Sequence, residues 1–138
     1  MNITLKRLND HYLMEATNET GNSIQMDAGP GIGGQGLAPR PMEVMIMAMG
    51  GCSTIDIVSI LKKGRQPVGQ VEVRLNAERE AGKEPSLFQT IHAHYVIHGA
   101  VDPAQAKRAV DLSLEKYCSV AKTLEKTATI TWSFEVVA

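Results

Sequence analysis

The chain has almost no net charge and shows no export signal. Its 138 residues carry 14 Lys and Arg against 15 Asp and Glu, a formal net charge of -1. This balance gives no general attraction to nucleic acid or to an anionic membrane. Residues 1–7 contain no basic stretch followed by an apolar run and a small-residue cleavage site, so secretion is not predicted. We therefore expect a cytoplasmic protein that binds neither nucleic acid nor membrane.

Repeats, low-complexity tracts and linkers long enough to separate domains are also missing. A chain of this length is large enough to bury a hydrophobic core by itself. We therefore predict a single domain that spans residues 1–138.

Cysteine is scarce, and the two cysteines present are Cys52 and Cys118. In a reducing cytosol such a pair is free or transiently oxidised more often than it is a permanent disulfide. A thiolate attacks peroxide oxygen and becomes a sulfenic acid, which a second nearby thiol converts to a disulfide. The alternative is that both cysteines are small buried hydrophobic residues. The two interpretations make different demands on the fold: a redox pair needs the two thiols close together, whereas two buried core residues do not.

Periodicity and turn residues predict strands, a helix, strands, a helix and a final strand. Asp102 and Pro103 fit the start of the second helix, which we expect to continue through Tyr117. Consecutive strands without a helix between them favour antiparallel pairing, so the fold class is α+β with antiparallel sheet. The predicted strands are residues 3–8, 12–16, 23–27, 71–78, 91–97 and 130–136, and the first helix runs over about residues 42–63, with Gly64 ending it.

The first predicted helix is apolar almost all round and is as long as a membrane span. Asp56 and the hydroxyls around it argue against lipid. We therefore expect a central helix buried nearly all round, enclosed by a wrapped sheet or by a partner subunit, which favours a homodimer. Gly50 and Gly51 each cost about 1 kcal/mol in a helix interior relative to Ala. Either another helix packs closely there, or the glycines leave room for a substrate or a partner thiol beside Cys52.

The segment from Pro41 to Ser53, PMEVMIMAMGGCS, and the segment from Cys118 to Leu124, CSVAKTL, resemble the OsmC/Ohr family. The match covers nearly the whole chain. The motifs GGCS at residues 50–53, SILKKGRQ at 59–66 and EKYCSVA at 115–121 resemble its YhfA-like subgroup in particular. The resemblance implies an intertwined homodimer in which curved antiparallel sheets wrap around long central helices.

The resemblance also implies a thiol-dependent peroxidase that acts in oxidative stress defence. An organic hydroperoxide would oxidise Cys52, Cys118 would resolve the sulfenic acid as a disulfide, and an external thiol or dithiol would reduce it. No cofactor and no metal are expected. The alternative is a non-catalytic dimer, redox-sensing or binding a small apolar molecule beneath the glycine-rich loop at residues 29–34. Methionines 45, 47 and 49 would suit such a soft apolar pocket.

Two features depart from the pattern of the family's better-known peroxidases. Their helix-start glutamate corresponds to Met42 here, and Glu43 lies one residue later, a rotation of about 100° on a helix. Their N-terminal arginine has no clear counterpart, so the supporting candidates are Arg40, Glu43 and Arg65. Local electrostatics favour Cys118 as the thiolate, because it stands near the N-terminus of the short segment 119–125, where backbone N–H groups lower the pKa of a thiol. The order of the two cysteines in the family favours Cys52.

Histidines 92, 94 and 98 fall on one face of a predicted strand, but no carboxylate or cysteine lies close in sequence to complete a metal site. We expect them to face solvent. The basic cluster of Lys62, Lys63 and Arg65 stands where cations favour a helix C-terminus, so we expect capping and not nucleic-acid contact.

Overall fold

A computed structural model describes all 138 residues of the protein. The chain forms two compact units, Met1–Met47 and Ala48–Ala138. Helix α1, Pro41–Lys63, runs from the first unit into the second.

The first unit contains a three-stranded antiparallel sheet in the order β1-β2-β3. Its strands are short because asparagine-centred turns end them: Asn9 Oδ1 accepts the backbone N–H groups of His11 and Leu13, and Asn18 accepts those of Thr20 and Asn22. The three strands predicted in this region are confirmed, with bounds β1 Thr4–Arg7, β2 Met14–Thr17 and β3 Ser23–Met26. The glycine-rich segment forms a loop with one 3₁₀ turn, Pro30–Ile32.

Helix α1 begins at Pro41, a residue whose fixed φ suits the first helical position. At its other end the N–H of Gln66 donates to Leu61 O and the N–H of Arg65 donates to Lys62 O, the pairing of a Schellman motif. Arg65 occupies the left-handed position of this motif with φ 56°. The predicted helix is confirmed, although the left-handed residue that ends it is Arg65 and not Gly64.

The single chain does not by itself bury α1 nearly all round, so a wrapped sheet of the same chain does not enclose the helix. Met49, Ile57 and Leu61 are buried, whereas Met47 is 53% and Ile55 is 71% exposed. The helix is long and apolar enough to cross a bilayer, but the core helix of a soluble protein has the same length and composition. The chain by itself therefore leaves one side of an apolar helix uncovered.

The second unit contains a sheet in the order β4-β5-β6, formed by β4 Val71–Arg79, β5 Phe88–His98 and β6 Thr129–Val137. Strands β4 and β5 are antiparallel as predicted. Strands β5 and β6 are parallel, so the expectation of an entirely antiparallel sheet is wrong. Helical segments connect β5 to β6 and return the chain to the edge from which β5 started, which makes the two strands parallel.

Helix α2, Pro103–Leu112, begins as predicted, with the Asp102 side chain accepting the N–H of Ala104. It does not continue as an α-helix to Tyr117, because residues Ser113–Tyr117 form one π-helical turn. Helix α3, Ser119–Leu124, follows directly. The class α+β is confirmed. The core of this unit consists of buried residues from α1, β5, α2 and α3, among them Met49, Ile57, Ile91, Tyr95, Ala106, Val110 and Leu124.

Candidate thiol site

The two cysteines are free thiols that lie side by side in the second unit. The sulfur atoms of Cys52 and Cys118 and a carboxylate oxygen of Asp56 all lie within 4.8 Å of one another. Cys52 is half-buried on α1, and Cys118 is completely buried at the start of α3. The cysteines therefore meet, which is the condition that separates a possible redox pair from two unrelated core residues.

The π-helical turn holds Cys118 in position. The Cys118 N–H donates to Ser113 O at 2.7 Å, which closes the turn before the chain enters α3. Cys118 is the N-cap of α3, and its sulfur accepts the N–H of Ala121 at 3.4 Å. Its sulfur also lies 4.0 Å from the carbonyl oxygen of Met49 on α1. π-Helical turns of this kind are frequent at functional sites.

Burial makes Cys118 a poor thiolate. Desolvation raises the pKa of its thiol to about 11, and this effect outweighs the opposing hydrogen bond from the Ala121 N–H. The neighbouring Cys52 raises the pKa of Cys118 further. The helix start was expected to favour the Cys118 thiolate, but burial outweighs that effect and raises the pKa of the thiol instead.

Asp56 is a member of the site that the sequence analysis did not identify. It follows Cys52 by four residues on α1, so both side chains project from the same face of the helix. The Ser113 hydroxyl donates to Asp56 Oδ2 at 3.1 Å and lies 3.3 Å from the carbonyl oxygen of Ser53. The spacing of Cys52 and Asp56 was visible in the sequence, but the approach of Ser113 depends on the tertiary fold.

A buried tyrosine stabilises the helix turn before Cys52. The Tyr95 hydroxyl on β5 donates to Ser53 Oγ at 2.7 Å, and the Ser53 hydroxyl donates to Met49 O at 2.8 Å. Burial raises the pKa of Tyr95 to about 12, so its phenol stays protonated and keeps donating at neutral pH. This chain connects the sheet to the backbone of α1 at the residue next to Cys52.

The two glycines before Cys52 have different surroundings: Gly50 packs against a strand, whereas Gly51 faces open space. A Cβ on Gly50 would lie 2.7 Å from Leu75 Cδ1 and 3.3 Å from Val73 Cγ1, so β4 packs directly on the helix backbone there. A Cβ on Gly51 would meet nothing within 4 Å. The predicted close approach is therefore confirmed at Gly50, but the neighbour is strand β4 and not the helix that was expected, and Gly51 is open.

The supporting candidates occupy exposed positions. Arg40 Nε lies 3.9 Å from Glu43 Oε1, and both side chains are more than half exposed. Arg65 is exposed beyond the C-terminal end of α1. It follows Cys52 by 13 positions, about 20 Å along a helix axis.

The strand histidines are tied into a polar row on the outer face of the second sheet. His92 contacts the hydroxyls of Thr131 and Ser133 at 2.8 and 3.1 Å. His94 contacts Ser133 Oγ at 2.8 Å and Glu135 Oε1 at 3.2 Å. His92 is exposed and His94 is half-buried. The ring nitrogens of both histidines are therefore already in hydrogen-bond contact with hydroxyls and a carboxylate of β6.

Comparisons with known proteins assign the chain to a family. Residues 34–133 match the family of OsmC-like proteins. The chain is 52% identical over 120 residues to Protein YhfA of Escherichia coli, 86% of each chain. A hypothetical protein from Aquifex aeolicus is 30% identical with a TM-score of 0.85, over 99% of this chain and 95% of that chain. An organic hydroperoxide resistance protein OsmC from Legionella pneumophila has a TM-score of 0.72 at 14% identity, over 98% and 97% of the two chains. The protein belongs to the OsmC family.

Proposed function

We propose that this protein is a thiol-dependent peroxidase that reduces organic hydroperoxides through a disulfide cycle between Cys52 and Cys118. The observation that carries the proposal is the separation of the two sulfur atoms, at most 4.8 Å. A disulfide bond is about 2 Å long, so side-chain rotation and a small shift of α3 can close this gap. Membership of a family with hydroperoxide resistance proteins among its structural neighbours supports the same chemistry.

Access distinguishes the roles of the two cysteines. Cys52 is half-buried beside the open position at Gly51, whereas Cys118 has no exposed surface. This difference supports a hydroperoxide reaching Cys52 first, after which the nearby Cys118 would attack the oxidised Cys52. We assign Cys52 as the peroxidatic residue and Cys118 as the resolving residue.

The cycle balances in three steps. The Cys52 thiolate attacks the terminal oxygen of the hydroperoxide, the O–O bond breaks, and the leaving alkoxide takes a proton to become an alcohol. The Cys118 thiol then displaces water from the Cys52 sulfenic acid and forms the disulfide. An external thiol or dithiol reduces the disulfide and is itself oxidised. The protein begins and ends the cycle with two thiols.

We further propose that one domain, residues 1–138, works as a cytoplasmic homodimer. Ala48, Gly51 and Ile55 recur at helical spacing on α1 and are all exposed in the single chain. A second copy that covers this stripe would remove apolar surface from water and enclose the entrance to Cys52. Across such a dimer Arg40, Glu43 or Arg65 of a partner could approach the thiols, which would supply the charged support that the family's better-known peroxidases carry near the helix start.

Intact-mass measurement tests the peroxidase proposal. Reduced wild type, Cys52→Ser and Cys118→Ser are each mixed with one equivalent of cumene hydroperoxide in the presence of EDTA. Wild type should lose two hydrogens, Cys118→Ser should gain one oxygen, and Cys52→Ser should stay unchanged. Ser119→Ala, which changes the residue next to Cys118 and leaves both thiols, serves as the matched control.

If neither thiol of the wild type reacts faster than free cysteine, the peroxidase proposal is wrong. The non-catalytic reading would then remain, in which the dimer binds a small apolar molecule. The methionines offered for that reading do not form one surface, because Met49 is completely buried while Met45 and Met47 are 42% and 53% exposed.

A further inference from the structure

We propose that reduced Cys52 and Cys118, together with the Asp56 carboxylate, bind one thiophilic divalent cation, with Zn²⁺ as the expected ion. No metal was expected from the sequence, because the Asp56 carboxylate is brought beside Cys118 only by the tertiary fold. The proposal requires only that the two thiols are reduced. It does not depend on the peroxidase activity.

The geometry of the three side chains is close to that of a zinc site. With Zn–S bonds of about 2.3 Å and Zn–O bonds of about 2.0–2.2 Å, tetrahedral ligand atoms lie roughly 3.5–3.8 Å apart. The two sulfurs and the Asp56 oxygen all lie within 4.8 Å of one another. Closing the set around one ion therefore needs shifts of at most about 1 Å, within the range of small side-chain rotations.

The charges of the site favour a cation. Cys52, Cys118 and Asp56 become anions on ionisation, and Asp56 takes part in no ion pair. The groups that donate hydrogen bonds to this set, the Ser113 hydroxyl and the Ala121 N–H, are both uncharged. A bound divalent cation would displace the thiol protons, and its charge would offset the repulsion among three anions held this close.

The types of ligand select the metal. Two thiolates and one carboxylate suit Zn²⁺, whereas Mg²⁺ and Ca²⁺ prefer sites made of oxygen atoms alone. Three protein ligands leave a fourth position open to water or a small molecule. Ser113 would hold the Asp56 carboxylate in the orientation that ligation needs, as outer hydrogen-bond partners do in known metal sites.

Metal binding and disulfide formation exclude each other, because a sulfur in a disulfide is no longer a thiolate. A bound cation would therefore protect the reduced pair from oxidation, and oxidation would abolish binding. The protein would therefore release the ion when the disulfide forms.

Cobalt titration tests the site without any peroxide. Co²⁺ is added to the reduced protein under nitrogen, and the near-ultraviolet thiolate-to-cobalt charge-transfer band and the visible bands of a tetrahedral ion are followed. We expect one Co²⁺ per chain, displaced by one Zn²⁺. Wild type alkylated with iodoacetamide should show no band, and this arm does not depend on whether any variant folds.

Variants define the ligands. Cys52→Ser and Cys118→Ser should each lose most of the charge-transfer intensity. Ser113→Ala should weaken Zn²⁺ binding by about 10–100-fold, the range for outer-shell partners, and Asp56→Asn by at least as much. The double variant His92→Gln/His94→Gln is the control, because it removes two neighbouring histidines that could bind a metal elsewhere on the protein. It should bind like wild type.

Absence of the thiolate band in reduced wild type would overturn the proposal. So would a band that survives in both cysteine variants, or binding lost in the histidine control. Because the mass experiment above contains EDTA and this titration contains no hydroperoxide, failure of either proposal leaves the other standing.

Discussion

At the scale of single residues, burial decides what the site can do. Cys118 stands at a helix start, which favours the thiolate, yet complete burial raises the pKa of its thiol to about 11. Cys52 keeps some access to solvent. The same burial keeps Tyr95 protonated, so that it donates to Ser53 and stabilises the turn before Cys52.

Tyr95 should make the fold sensitive to alkali. Its pKa is about 12 in the folded protein, above the ordinary 10.0, so the folded state favours the protonated phenol. This contribution to stability is complete below pH 10 and is lost as the pH rises from 10 to 12. In Tyr95→Phe the free energy of unfolding should fall less steeply over this window, whereas at pH 7 it should be lower by about 1 kcal/mol for the lost hydrogen bond.

Urea unfolding of wild type and Tyr95→Phe at several pH values measures how steeply the free energy of unfolding falls between pH 10 and 12. Tyr12→Phe, at an exposed tyrosine, is the matched control and should keep the wild-type slope. Equal slopes for wild type and Tyr95→Phe would contradict the burial of the phenol.

At the scale of secondary-structure elements, α1 and β4 meet at a glycine. The side chains of Leu75 and Val73 approach the helix at Gly50 so closely that a Cβ there would lie 2.7 Å from Leu75 Cδ1. The contact holds the helix turn that precedes Cys52 against the sheet.

Substitution of Gly50 by Ala should therefore lower the free energy of unfolding in wild type and raise it in the Leu75→Ala variant. In wild type we expect a loss of about 1–2 kcal/mol in unfolding free energy, because overpacking exceeds the gain in helix propensity. In the Leu75→Ala background the added methyl group fills vacated space, and the same change should raise stability by up to about 1 kcal/mol. A double-mutant cycle by urea unfolding measures the coupling. Additive effects would show that the two residues do not press on each other.

The sequence predicted most elements, because local signals determine them: asparagine turns, the Pro41 start of α1 and the Asp102 cap of α2 are all short-range. It also predicted that Cys52 and Cys118 matter. Pairing of β5 with β6, the π-helical turn before Cys118 and the approach of Ser113 to Asp56 were missed, since they depend on contacts between residues far apart in sequence. Burial of Cys118, which raises the pKa of its thiol, also depends on such contacts.

At the scale of the whole molecule, the uncovered stripe of α1 is the feature that the single chain leaves unexplained. Ile55, 71% exposed in the middle of this apolar helix, would lie at the centre of the proposed dimer contact. Ile55→Glu should therefore convert a dimer to a monomer, because a buried glutamate without a partner is strongly unfavourable. Ile55→Leu conserves size and apolar character and should remain dimeric. Sedimentation velocity distinguishes the two states, and a monomeric wild type would contradict the dimer.

Catalytic consumption of hydroperoxide in the presence of a reductant is the decisive test of the peroxidase proposal. Purified wild type is incubated with EDTA, excess dithiothreitol and excess cumene hydroperoxide, and peroxide consumption is followed with Cys52→Ser, Cys118→Ser and the dithiol alone as controls. We expect many equivalents of peroxide consumed per wild-type chain and a rate near the dithiol background for Cys52→Ser. Cys118→Ser should be slower than wild type, because the dithiol must then reduce the Cys52 sulfenic acid directly. A wild-type rate equal to that background would contradict the proposal.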